Sequence, residues 1–138
     1  MNIKSIIINY ILTTIVFLLI DMAWLGFIAK NIYQKYLGNF LTDKVNWTAA
    51  LIFYLIYVIG ISIFAIYPSV NKDSALNAIL MGGLFGLFTY ATYDLTNLAT
   101  LKDWPLTIVF IDIIWGIVLT AIVSLSGFYI AKLVNYFI

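Results

Sequence analysis

The stretch PLTIVFIDIIWGIVLTAIVSLSGFYI, residues 105–130, decides the fold. It carries one charged residue, Asp112, and exceeds the roughly 20 apolar residues needed to cross a hydrocarbon core about 30 Å thick. Pro105 suits the first position of a helix, where its missing N–H has no intrahelical partner to lose. Three earlier stretches have the same character, over about residues 5–29, 46–67 and 75–99. The third of these follows the turn Pro68-Ser69-Val70-Asn71-Lys72-Asp73-Ser74, in which Asp73 or Ser74 can cap the first free amides. The fourth is expected to end at about Ile130 or beyond, leaving Tyr136 and Phe137 to suit an interface.

Composition agrees with this reading. The 138 residues are 64% hydrophobic and 9% charged, too few charges to cover a soluble domain of this size. Mean hydropathy is +1.08. The expected architecture is all-α, an integral membrane four-helix transmembrane bundle forming a single domain over residues 1–138. The first apolar run is too long for a signal peptide, has only Lys4 before it and shows no small-residue cleavage pattern ahead of Lys30, so it is expected to stay in the mature protein. Between helices one and two, Ile32, Tyr33, Tyr36, Leu37, Phe40 and Leu41 recur at helical spacing. That pattern predicts a short interfacial amphipathic helix in the headgroup region, the alternative being a frayed end of helix one.

Absences narrow the chemistry. Without Cys or His there is no disulfide, no thiol nucleophile, no imidazole base and no nitrogen or sulfur ligand for zinc. A net charge of +1 with no Lys cluster offers no face for nucleic acid. Asp, Lys, Tyr, Ser and Thr are the side chains left to act.

Three aspartates, Asp21, Asp94 and Asp112, sit inside the apolar runs. An ionised carboxylate at the centre of a spanning helix costs roughly 2.5–3.5 kcal/mol, so such residues face a bundle interior or a cavity. Because consecutive helices alternate in direction, the three are displaced toward one membrane face, by roughly 6, 10 and 9 Å from their helix midpoints at 1.5 Å per residue. Trp24, Trp47, Trp104 and Trp115 belong to the same half. At 100° per residue, Tyr10, Thr13, Thr14, Phe17, Asp21 and Trp24 share one side of helix one. Gly83, Gly86, Tyr90, Tyr93, Asp94 and Asn97 share one side of helix three. Asp112, Gly116, Thr120, Ser124 and Gly127 form a small-residue seam on helix four, and Gly82 with Gly86 makes a GxxxG on helix three. The segments Asp21-Met22-Ala23-Trp24 and Asp112-Ile113-Ile114-Trp115 repeat a D-x-x-W spacing, which puts a carboxylate and an indole donor on one helix face. The candidate ligand-binding residues are therefore Asp21, Trp24, Tyr90, Tyr93, Asp94, Asn97, Asp112 and Trp115. Any catalytic role would fall to Asp94, Asp21 or Asp112. No close-spaced acidic motif assigns a metal, and no cofactor is assigned, although carboxylate, Asn97 and hydroxyl oxygens are chemically suited to a hard cation such as Mg²⁺ or Ca²⁺.

The run FTYATYDLTNLATLKDWPL, residues 88–106, resembles the signature of a bacterial family of predicted membrane proteins, domain of unknown function 2177. Asp21-x-x-Trp24-Leu25-Gly26 and Asp112-x-x-Trp115-Gly116 resemble its other marks. The resemblance implies a compact multi-pass protein of the bacterial inner membrane and no particular activity. Three readings stay open. The aspartates can be interhelical glue in a structural or accessory subunit. They can bind, and with a homodimer transport, a proton, a cation or a small amphipathic or lipid ligand. Or Asp94 can serve as general acid or base in an enzyme of lipid or isoprenoid modification, with Lys102 near a phosphate headgroup. Lysines divide three against four between the two faces, a slight excess that would turn the aspartate half toward the cytoplasm.

Overall fold

The computed structural model describes residues 2–137, and all regular structure among them is helical. The helices are α1 (Ile3–Ile28), α2 (Lys30–Leu37), α3 (Trp47–Asn71), α4 (Ala75–Thr100) and α5 (Leu106–Phe137). All but α2 are long and apolar enough to cross a membrane, which gives the four-helix membrane bundle expected from the sequence. Their ends are capped by short polar side chains. Asn2 accepts from the Ser5 amide at 2.8 Å, Asn46 from that of Ala49 at 3.1 Å and Ser74 from that of Asn77 at 3.1 Å. Asp73, the other possible cap, instead takes a positive φ of 47° and accepts from Lys132 at 2.6 Å, an exposed pair joining the α3–α4 turn to α5.

Two boundaries differ from the sequence reading, and a third is settled. α3 does not stop at Tyr67 but runs through Pro68 to Asn71. A proline breaks a helix by crowding the carbonyl four residues back and by lacking an N–H. Here a π-helical turn over Ser62–Ile66 widens α3 just ahead of the ring, and the Tyr67 amide reaches back to the Ser62 carbonyl. α5, expected to end at about Ile130 or beyond, runs to Phe137, with Ala131 and Val134 still buried. α2 ends at Leu37, so Phe40 and Leu41 lie in the turn beyond it, where the Phe40 ring rests 5.4 Å from that of Trp104.

The bundle is organised around α5. On α4 the buried row is Ala78, Gly82, Gly86 and Asp94, and on α5 it includes Asp112, Gly116, Thr120, Ser124 and Gly127. A Cβ on Gly86 would strike the Gly116 carbonyl, and one on Gly82 would sit 2.7 Å from the Thr120 carbonyl oxygen. The two backbones are therefore in contact, the packing that small-xxx-small patterns permit in lipid. α1 lays Ser5, Asn9, Thr13, Phe17 and Asp21 inward, and Asn9 donates to the Gly127 carbonyl at 2.8 Å. Phe17 packs between Tyr54 and Tyr57 of α3, with ring centroids 5.5 and 5.4 Å away. The Tyr57 hydroxyl shares hydrogen bonds at 2.9 Å with Thr89 and Thr120, fastening α3 to α4 and α5.

The α4–α5 contact carries a prediction. Gly86→Ala should lower stability by about 1–3 kcal/mol, the usual result of overpacking, read as a lower melting temperature in detergent. Gly26→Ala, which meets nothing within 4 Å, should leave it unchanged or slightly higher.

Candidate functional site

Two of the three aspartates are held in one network. Tyr33 of α2 donates to Asp112 Oδ1 at 2.5 Å, and the Trp24 indole N–H donates to the Tyr33 oxygen at 3.3 Å. The Trp24 and Trp115 rings stack with centroids 4.2 Å apart and planes 9° from parallel. Trp115 donates to Asp21 Oδ1 at 3.3 Å, and Tyr54 donates to Asp21 Oδ2 at 2.8 Å. The path runs from Asp112 through Tyr33, the tryptophan pair and Asp21 to Tyr54, and joins α1, α2, α3 and α5.

Local sequence explains the geometry. Asp21 with Trp24, and Asp112 with Trp115, lie three residues apart and so share helix faces. The indoles do not serve their own helix's carboxylate. Trp115 of α5 bonds Asp21 of α1, while Trp24 bonds the tyrosine that holds Asp112. A π-helical turn at Trp24–Ile28 and a bend at buried Ala29 turn α2 back over the bundle, which is what lets Tyr33 reach Asp112. Burial first, then the bond to Asp112, pushes the Tyr33 phenol above its ordinary value of 10.0, so it remains a donor through neutral pH.

Asp94 stands apart from this network. It has no exposure, and neither carboxylate oxygen has a hydrogen-bond partner among the described residues. The Trp104 indole lies beside it, also buried, near enough for its N–H to act on the carboxylate but outside hydrogen-bonding distance and angle. Asp112 is close enough for its charge to act on Asp94. A buried polar group without a partner costs about 1–3 kcal/mol, and a charged one costs more.

The other sequence candidates fall on either side of the division. Tyr90 is half-buried, its ring pressed on Gly116 and set edge-on to Tyr57 at 6.4 Å. Asn97 is half-buried on α4, three residues beyond Asp94. Tyr93, read as inward-facing, is 57% exposed, because the buried row of α4 drifts about 80° around the helix between Gly86 and Asp94, which leaves Tyr93 on the Gly82–Gly86 heading but about 100° from Asp94. Its ring meets Trp104 edge-on at 6.1 Å. Among the described residues no group of three carboxylates gathers to hold a metal ion, so the three aspartates do not form one cluster. Tyr33, Tyr54 and Trp104 belong to the site although none is among the candidates named from the sequence. The amphipathic pattern shows Tyr33 but points it to headgroups, Tyr54 stands among Phe53, Tyr57 and aliphatic residues with nothing to single it out, and Trp104 precedes the helix-starting Pro105.

A family model described as a predicted membrane protein, DUF2177, matches residues 6–129. No curated protein and no solved structure matches the chain.

The Tyr33 bond can be tested by deleting one oxygen. Tyr33→Phe should cost about 1.5–3 kcal/mol, the range for a hydrogen bond to a charged group, and speed tryptic cleavage at Lys30 and Lys35. Because the folded phenol holds its proton more tightly than the unfolded one, its contribution is intact below pH 10.0 and is lost as the pH rises beyond it. The wild-type segment should accordingly resist trypsin up to that pH.

Proposed function

This chain belongs to the DUF2177 family of predicted membrane proteins, and from its buried carboxylates we propose that one end of the bundle is a binding site centred on Asp94. The observation that carries the reading is the Asp94 carboxylate, wholly buried and without a hydrogen-bond donor among the described residues. In hydrocarbon a polar group has to be satisfied from within the protein or by what the protein binds. Asp21 and Asp112 follow the first course, with donors from Tyr54, Trp115 and Tyr33. Their role is to fasten helices. Asp94 follows the second.

The chemistry narrows the ligand. A carboxylate acceptor with a second carboxylate nearby favours a proton, a cation or an amphipath with a hydrogen-bond-donating head, and disfavours an anion. Trp104 and Asn97 supply further polar contacts beside it, Trp104 with an unpartnered indole N–H. The protein would act as a multi-pass component of the bacterial cytoplasmic membrane. Carriage of the ligand across the bilayer would require a homodimer, since four closely packed helices leave little conduit.

The test is native mass spectrometry of the detergent-purified chain. The wild type should retain a bound cation or lipid that Asp94→Asn loses by about tenfold or more, the equivalent of one charge-assisted hydrogen bond. The variant should stay folded. Equal retention by wild type and Asp94→Asn would overturn the assignment.

A further inference from the structure

Beside the Asp94 site, the outer faces of α3 and α4 enclose an open groove of about 960 Å³. Phe53 and Phe64 wall it from α3, and Phe85 and Phe88 from α4. Gly60 keeps the floor low, since a Cβ there would come within 2.6 Å of the Phe85 ring. The hydroxyls of Tyr57 and Thr89 are bonded to each other at 2.9 Å and that of Thr92 to the Phe88 carbonyl, so the lining is mostly apolar. At 1.5 Å per residue the lining runs about 16 Å along α3, over residues 53–64, and about 12 Å along α4, over residues 85–93. Both stretches lie within membrane-spanning helices, where the medium available to fill a groove is hydrocarbon. Its elongated form suits a chain lying along the bundle.

One end of the groove meets the carboxylate. Tyr93 lines the groove and is adjacent to Asp94 on α4, and its ring abuts Trp104, the indole beside Asp94. Tyr93 and Trp104 thus form a contact that leads from the rim of the groove to the carboxylate. Tyr93 is 57% exposed. We infer that the groove seats the hydrocarbon chain of a single-chain amphipath whose amine or hydroxyl head reaches Asp94 past the Tyr93–Trp104 pair. This inference rests on the Asp94 reading and names its ligand class. A phosphate head is excluded by two carboxylates and by depth, for Asp94 lies about 9 Å inside the end of α4, where a small neutral or cationic head is easier to desolvate than a phosphate.

The test uses three sixteen-carbon probes carrying a mid-chain diazirine: an alcohol, an amine and a phosphate monoester. Each is added to the full chain in phosphatidylcholine nanodiscs, and the sites of photolabelling are mapped by peptide mass spectrometry. Thr92→Trp fills the groove from an exposed position whose own hydroxyl bonds only within α4, so the core is left intact. The alcohol or the amine should label the α3 and α4 groove peptides saturably, with about tenfold less labelling in both Thr92→Trp and Asp94→Asn. The stronger of the two identifies the head, and the phosphate should give only even background. Loss in Asp94→Asn with Thr92→Trp unaffected would overturn the groove while leaving the Asp94 site standing. Loss in Thr92→Trp alone would overturn the head assignment and the Asp94 reading with it. Even labelling of every lipid-facing helix, or a chain-to-chain cross-link through a reactive group placed at Phe64, would overturn the inference in favour of bulk lipid or a second copy.

Discussion

Hydrocarbon supplies no hydrogen-bond donors, so a carboxylate carried into the bilayer has to bring its donors with it. In this chain that requirement organises the helices. Asp21 of α1 draws in Tyr54 of α3 and Trp115 of α5, and Asp112 of α5 draws in Tyr33 of α2. Because every donor comes from a different helix than its acceptor, satisfying the two carboxylates closes the bundle. The stacked Trp24 and Trp115 rings join the two halves of the network. Opposite them, the contact of Gly82 and Gly86 with the backbone of α5 brings α4 close enough for Asp94 to be buried completely.

Much of this was legible from the sequence because bilayer thickness imposes helix length. Four apolar runs had to become four spanning helices, and alternation then placed Asp21, Asp94 and Asp112 in one half. Direction around each helix was harder to read. A buried row that steps by four residues advances about 40° each time, whereas an inward arc drawn from the sequence keeps one heading. This drift is why Ser5 and Asn9 were passed over on α1 and why Tyr93 was turned inward on α4. The widened turn that carries α3 through Pro68 also has no signature in hydropathy. Nor do the partners of the carboxylates, since a tyrosine in an apolar run reads equally as a lipid-facing aromatic and Tyr33 is distant in sequence from Asp112.

The result is a division among residues that look alike in sequence. Asp21 accepts from a phenol and an indole, and Asp112 from a phenol, each across a helix contact. Asp94, in the same half and equally buried, is offered none among the described residues, although Trp104 lies beside it with an unpartnered N–H. That indole acts on the carboxylate without closing a hydrogen bond to it. We read the pair as groups reserved for a bound molecule, and the aromatic groove ending at Tyr93 as the place for its apolar part.

Thermal unfolding of the three Asp→Asn variants, in detergent and without added ligand, tests the division most directly. An amide NH₂ at position 21 or 112 would face the donors that now point at a carboxylate, so Asp21→Asn and Asp112→Asn should melt below wild type. Asp94→Asn removes a buried acid that has no partner to lose and should melt at or above it. The opposite order, with Asp94→Asn the least stable of the three, would contradict the account and make Asp94 part of the scaffold.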